Sequence, residues 1–356
     1  MEQKTDQTDI TSRLLSWYNE HKRDLPWRAT EDPYLVWLSE VILQQTRVAQ
    51  GWNYYLRFVD RFPDVQSLAE AEEEEVLKLW QGLGYYTRAR NLHAAAKQIL
   101  HNFHGTFPSE YTHILSLKGV GKYTAAAISS IAFRAPYAVV DGNVFRVLSR
   151  LFAIETPIDT TGGKKIISEL AQSLIPPVQP GTYNQAIMDF GSLVCTPSQP
   201  KCADCPLQVY CKAYDIKKVS LFPVTSRKVI IRKRYFNYFH IIQGSHTFIQ
   251  KRNESDIWKN LYEFPLVETT GAADFLQLSQ TDEFKHLFPE GITLSVDHCH
   301  TVKHQLTHQA IHTTFYKVEV DAGSNFNPPE WIIRIEEKDL ADYPVSRLTE
   351  KYLELI

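Results

Sequence analysis

Apolar residues recur every three or four positions through the first two-thirds of the chain and at alternate positions in the last third. Trp37, Leu38, Val41 and Ile42 set the helical spacing; Trp52, Tyr55, Leu56 and Val59 repeat it, as do Leu92, Ala95, Ala96 and Ile99. Asp32 before Pro33 is a good N-cap followed by proline at the first helical position. The Ala/Ile-rich stretch 124–134 reads as a helix apolar enough to be central, and a later stretch with Pro197, Pro200 and Pro206 reads as irregular. Beyond about Tyr214 the period changes. Val229, Ile231, Tyr235, Tyr238, Phe239, Ile241 and Ile242 suggest strands, and 313–320 alternates at period two. Residues 340–355 read as a closing helix. The expected organisation is a mostly α region at 1–213, a basic linker at 214–230 and an α+β domain at 231–356, without a repeat of 20–50 residues.

Composition is that of a globular protein, 44% hydrophobic and 22% charged, and 356 residues suffice for two or three domains. A formal net charge of −3 gives no overall positive field. The charge is uneven, however. Lys212, Lys217, Lys218, Arg227, Lys228, Arg232, Lys233 and Arg234 face a single acid, Asp215, a run that suits either a solvated linker or a phosphate-facing surface. Glu70 and 72–75 form an acidic run that reads as a solvated helix face. The polar first ten residues are not expected to act as a signal peptide, and the longest small-apolar run is too short to span a bilayer. The expectation is a soluble, cytoplasmic, monomeric protein.

Four of the five cysteines, Cys195, Cys202, Cys205 and Cys211, fall within one short loop as C-x6-C-x2-C-x5-C. Four soft thiolates so close favour a metal or cluster site over two disulfides, and four cysteines can hold either tetrahedral zinc or a [4Fe–4S] cube. The spacing lacks the two C-x2-C pairs common in zinc sites. Cys299 stands apart and is expected to be a structural thiol.

A second motif, Gly119-Val120-Gly121 followed by Lys122, Tyr123 and an Ala-rich helix, has the make-up of a phosphate clamp. Glycine lets the backbone approach a phosphate, and the helix start supplies free N–H groups and a positive dipole end. Downstream lies Val139-Val140-Asp141-Gly142-Asn143-Val144. Together with the cysteine loop, 26–28 (Pro-Trp-Arg), 37–48 and 80–92, these motifs resemble the helix–hairpin–helix DNA glycosylases, and within them the MutY-type adenine DNA glycosylases. The resemblance covers at least residues 10–214. It implies a two-lobed helical catalytic region, a [4Fe–4S] cluster on the four cysteines, and removal of adenine mispaired with 8-oxoguanine or guanine in duplex DNA.

The same resemblance implies roles for individual residues. Glu40 aligns with the acid that protonates departing adenine at N7, a task that needs a carboxyl pKa raised by burial; otherwise Glu40 reads as part of a solvent face. Asp141, otherwise a helix N-cap, aligns with the carboxylate that stabilises positive charge at C1′, and Asn143 and Tyr123 with residues supporting that pocket. Tyr123 stands where the related endonuclease III enzymes carry the lysine that forms a Schiff base. A phenol cannot form that imine, so a monofunctional glycosylase is expected. Lys118 replaces the usual proline before the hairpin. Gln45 and Tyr85 match residues that wedge into the duplex, Arg28 one near the adenine pocket, and Gly119, Gly121 and Lys122 the clamp.

Residues 248–265 resemble the start of a Nudix-like fold without its catalytic helix, implying a domain that reads 8-oxoguanine rather than hydrolysing nucleotides. Leu306-Thr307-His308 corresponds to the family's Phe-Ser-His; Thr307 keeps the hydroxyl, while Leu306 loses an aromatic ring. Of His298, His300, His304, His308 and His312, three would line one helix face, but their flanks read as strand. Competing readings are a bifunctional pyrimidine glycosylase/lyase, opposed by Tyr123; a non-enzymatic cluster-bearing DNA-binding or redox module; and a nucleotide pyrophosphatase, opposed by the missing Nudix helix.

Overall fold

The computed structural model describes residues 2–226, 231–253, 256–289, 291–321, 323–324 and 326–356. Arg227 and Lys228 of the basic stretch, Val229 of the first expected strand and the His298 side chain lie outside the described residues. The chain forms two compact units, one of residues 1–70 with 91–228, the other of 71–90 with 229–356.

The first unit is helical. Its central helix, Lys122–Ala132, packs against Pro33–Leu43, Tyr111–Ser116 and Pro180–Leu193. Ala125, Ala126, Ala127 and Ile128 are buried, and small side chains let neighbouring helices come close. At Gly181 a Cβ would stand 2.7 Å from the Ser130 carbonyl oxygen, so the first turn of Pro180–Leu193 can seat only a glycine there. Asp32 caps Pro33–Leu43 as expected, accepting from the Tyr34 and Leu35 amides. The helix Val48–Arg61 buries only part of the face its pattern suggests. Tyr55 and Phe58 are buried, whereas Trp52 and Leu56 are exposed. Much of the expected linker is docked: Phe222 is buried, the Ile158 amide donates to the Val224 carbonyl (2.9 Å) and Ser226 donates to Asp159.

The second unit is a mixed sheet of β1 (Arg232–Gln243), β2 (His246–Lys251), β3 (Tyr262–Glu263), β4 (Leu266–Thr269), β5 (Leu294–Gln305), β6 (Gln309–Val320) and β7 (Ile332–Glu336). The order is β3-β2-β1-β6-β5, with β4 on β1 and β7 on β2; β1 and β6 run parallel from Arg232↔Gln309 to Ile242↔Glu319. Phe239 and Ile241 belong to one core, Phe236 and Tyr238 to the other, so β1 is buried on both faces and its apolar run is nearly continuous. His304 lies on β5 and His312 on β6, so no helix face unites them. Cys299, expected to be structural, is exposed on β5. The expected closing helix is broken into a 3-10 turn, Glu337–Asp342, and a helix, Arg347–Leu353; Pro344 lies between them, where Val345 bridges to Tyr262.

Residues 71–90, placed by sequence in the helical region, pack with the sheet. Glu73 and Glu74 are not simply solvated. Glu74 accepts from Lys251 (2.6 Å) and the Tyr262 hydroxyl (2.7 Å), Glu73 from Asn260 (2.5 Å), and the Tyr86 hydroxyl donates to the Val345 carbonyl (3.1 Å). No helix among the described residues is long and apolar enough to cross a membrane.

Candidate active site

The helices Pro33–Leu43, Lys122–Ala132, Gly142–Phe152 and Pro180–Leu193 enclose a cavity of about 280 Å³ in the first unit. Arg28, Glu40, Tyr123, Asp141, Asn143 and Asp189 all line it, so helix packing gathers residues that the sequence scatters over 160 positions. A larger opening of about 870 Å³ shares Arg23, Leu25, Arg28, Ile131 and Gln185 with it but contains neither Glu40 nor Asp141.

Glu40 lines this cavity. Burial drives its carboxyl up to about 7; the nearby Asp141 charge adds to the rise, while the Tyr123 hydrogen bond and Arg28 oppose it. Tyr123 donates its hydroxyl to Glu40 Oε2 at 2.7 Å and lies 3.2 Å from Met188 Sδ. Burial, with Glu40 and Asp141 adding, pushes the Tyr123 phenol well up, so it stays protonated and remains a donor. Asp141 is the helix cap expected of it and also lines the cavity. Its Oδ1 caps the helix by accepting from the Val144 amide (2.8 Å), and its Oδ2 accepts from Asn143 Nδ2 (2.8 Å). Burial raises its pKa while those donors and Arg146 hold it down. Arg146 in turn donates to Asn143 Oδ1 (2.8 Å) and to the Cys195 carbonyl (2.7 Å).

Two cavity residues escaped the sequence reading. Asp189 is fully buried and pairs with Arg23 and with Arg28, whose Nη2 lies 2.7 Å from Asp189 Oδ1. Burial opposes its ionisation, yet the two guanidiniums hold its pKa below the usual value. The available signal was a lone acid inside the apolar stretch 186–190.

In the hairpin, Gly119 has φ +76°, and a Cβ there would sit 2.5 Å from Asn91 Cβ. Gly121 has open space where a side chain would be and caps Lys122–Ala132 without a side-chain bond, leaving the first amides of that helix free for an anion. Lys122 is exposed beside them, whereas Tyr123 turns into the cavity. The cysteine loop follows Pro180–Leu193. Its four thiols are half-buried and free, and Cys195, Cys205 and Cys211 pack on the helical core. Among the described residues no three metal-ligating side chains are gathered at the spacing of a single bound ion.

A family model described as HhH-GPD superfamily base excision DNA repair protein matches residues 38–177, and one described as NUDIX domain matches 237–355. The adenine DNA glycosylase of Buchnera aphidicola subsp. Schizaphis graminum is 34% identical over 350 residues, 96% of this chain and 97% of that protein. The chain belongs to the adenine DNA glycosylase family. It is a base-excision-repair enzyme with a helical helix–hairpin–helix region and a Nudix-like domain. The mouse adenine DNA glycosylase is 47% identical over 218 residues, 59% of this chain and 42% of the mouse protein. Among solved structures, a thermostable thymine-DNA glycosylase is 30% identical with TM-score 0.57, covering 61% of this chain and all of that one. An endonuclease III–DNA complex, 20% identical with TM-score 0.51 over 58% of this chain and 94% of its own, shares the fold.

In this glycosylase the two positions expected to wedge into DNA have left-handed backbones, Gln45 at φ 55° and Tyr85 at φ 49°. Both side chains are exposed, and non-glycine residues held this way are common where strain serves a site. Within the second unit the Tyr85 hydroxyl lies 2.9 Å from Thr307 Oγ1. Thr307 and His308 form the exposed tip of the β5–β6 hairpin, closed by the Leu306 amide on the Gln309 carbonyl (2.8 Å). Leu306 packs on the Nudix-like core instead of being presented with them.

Proposed function

We propose that this glycosylase hydrolyses the N-glycosidic bond of adenine opposite 8-oxoguanine or guanine and leaves the DNA strand intact. The observation that carries the reading is Glu40, a carboxyl raised to about 7 inside a cavity it shares with Asp141 and Tyr123. An extruded adenine enters this cavity. Tyr123 occupies Oε2 of Glu40, which leaves Oε1 to carry the proton to adenine N7 and make the purine a better leaving group. Positive charge then develops at C1′. Asp141, fixed by the Val144 amide and Asn143, is the carboxylate that answers it until water adds. Arg28, held on Asp189, borders the base.

Strand cleavage would need an amine on C1′. Tyr123 has none, and Lys122 faces out of the cavity. On the duplex, Gly119, Gly121 and Lys122 hold phosphate, and Gln45 and Tyr85 each wedge into the stack near the 8-oxoguanine. Thr307 and His308 read the opposite 8-oxoguanine, a role supported by the Tyr85–Thr307 contact. In this reading 1–213 is the catalytic region, 214–230 the connection and 231–356 the reading domain; the protein acts as a monomer in the cytoplasm. Cys195, Cys202, Cys205 and Cys211 hold a [4Fe–4S] cluster, which when bound cross-links the loop at 195–211. An all-thiol donor set with buried guanidinium groups beside it fits that group.

The test is single-turnover adenine release from a duplex with one A:8-oxoguanine pair, analysed with and without alkali. Strand breaks only after alkali are expected. Breaks without alkali would mean a lyase, and no release would overturn the assignment. Thr307→Ala is expected to lower the A:8-oxoguanine over A:G rate ratio by roughly fivefold, the worth of about one hydrogen bond. An unchanged ratio in the same assay would remove Thr307 from recognition.

A further inference from the structure

Arg150 is 2% exposed, in the last turn of Gly142–Phe152. Its Nε donates to the carbonyls of Val219 (3.2 Å) and Phe222 (3.1 Å), Nη1 to that of Thr196 (2.7 Å) and Nη2 to that of Pro197 (2.9 Å). Nη1 also lies 3.4 Å from Cys195 Sγ. Carbonyls satisfy the N–H groups but carry no net charge. Among the described residues no carboxylate pairs with this guanidinium. A buried charge without a counter-charge is costly, so something negative belongs beside it.

The neighbouring cations do not share this predicament. Arg146, one helical turn earlier, donates to Asn143, which is bonded to Asp141. Lys201 and Lys212, on the cysteine loop, are exposed and screened by water. Arg150 puts its positive charge against a cysteine sulfur from inside the protein, and among the described residues no carboxylate is paired with it.

We propose that Arg150 is the buried counter-charge of the iron–sulfur group, setting its reduction potential and its retention through charge as well as shape. The proposal rests on the cluster reading above. Four thiolates around a [4Fe–4S] core carry net negative charge, and reduction adds one more. A cation held at fixed, low-dielectric contact favours the more negative, reduced state, so removing it lowers the potential. The carbonyl fan explains how the cation is positioned. It does not replace it, because a clamp that acted only through hydrogen bonds would work equally well if neutral.

The experiment compares wild type, Arg150→Lys and Arg150→Gln, each full-length and prepared without oxygen with iron and sulfide. Iron and sulfide per chain are measured first, then the cluster potential by voltammetry. Arg150→Gln keeps at most two of the N–H donors and loses the charge; Arg150→Lys keeps the charge and loses the planar fan. The expected result is a cluster in wild type, a redox equilibrium displaced tenfold or more toward the oxidised form in Arg150→Gln (about 59 mV for one electron), and at most half that shift in Arg150→Lys. Equal potentials in all three, or equal shifts in both variants, would overturn the proposal while leaving the cluster intact. Absence of iron and sulfide from wild type would remove the cluster reading and the proposal together. If Arg150→Gln cannot hold the cluster, Arg150→Lys decides: loading near the wild-type potential supports the charge role, and failure to load overturns it.

Discussion

Glu40→Gln abolishes adenine release while duplex binding survives. The amide preserves size and can still accept from the Tyr123 hydroxyl that lies 2.7 Å from Oε2, but it has no proton to give at neutral pH. Loss of a positioned general acid costs roughly 10²–10⁴-fold, and a purine anion is a poor enough leaving group to place the variant at the upper end. Single-turnover release and gel-shift affinity measured on one preparation separate the two effects; retained turnover would sink the acid role. The wild-type rate should also fall about tenfold per pH unit above about pH 7, where Glu40 ionises, a limb absent from any residual activity of the variant.

The same shift has a stability consequence with a definite sign. The folded-state pKa of Glu40, about 7, exceeds the ordinary glutamate value of 4.5. Its contribution to stability is therefore fully present below the unfolded pKa and is lost as pH rises through the folded one. Glu40→Gln should then unfold at a higher temperature than wild type at about pH 8 and at nearly the same temperature at about pH 4. Roughly 3 kcal/mol is the upper limit of the gain.

Asp141→Asn is the second large effect. Asparagine caps a helix about as well as aspartate, so the bond to the Val144 amide can be retained and stability should hold within about 1 kcal/mol. The negative charge opposite C1′ disappears, and excision should fall by roughly 10²–10³-fold or more. A further signature distinguishes lost charge from lost structure. Asp141 helps raise Glu40, so in Asp141→Asn the alkaline limb of the remaining activity should move to lower pH. An unmoved limb with full activity would leave Asp141 as a cap alone.

The candidate residues that sequence could nominate were those embedded in motifs. Glu40, Asp141, Tyr123, the hairpin glycines and the four cysteines each sit in a run distinctive enough to be compared with a family. Asp189 and Arg23 have no such run. Their importance is a matter of burial and pairing, and nothing local says that an acid in one helix will meet two arginines from the first thirty residues. Surface pattern also misled where apolar residues on Val48–Arg61 proved exposed, because periodicity marks a helix but not which neighbour will cover it.

Local sequence therefore determined what depends on local geometry. It gave the helix after Asp32-Pro33, the alternation of β6 and the tight Gly-Val-Gly turn, because caps, pleats and left-handed φ values are set within a few residues. Tertiary structure alone decided what depends on dielectric and on distant partners. Packing raised Glu40 to about 7 and left the Arg150 charge buried against Cys195. It also allied the 71–90 segment with the sheet, bringing Tyr85 within 2.9 Å of Thr307. Each of these is a property of several chain segments excluding water together, a quantity that no single stretch of sequence contains.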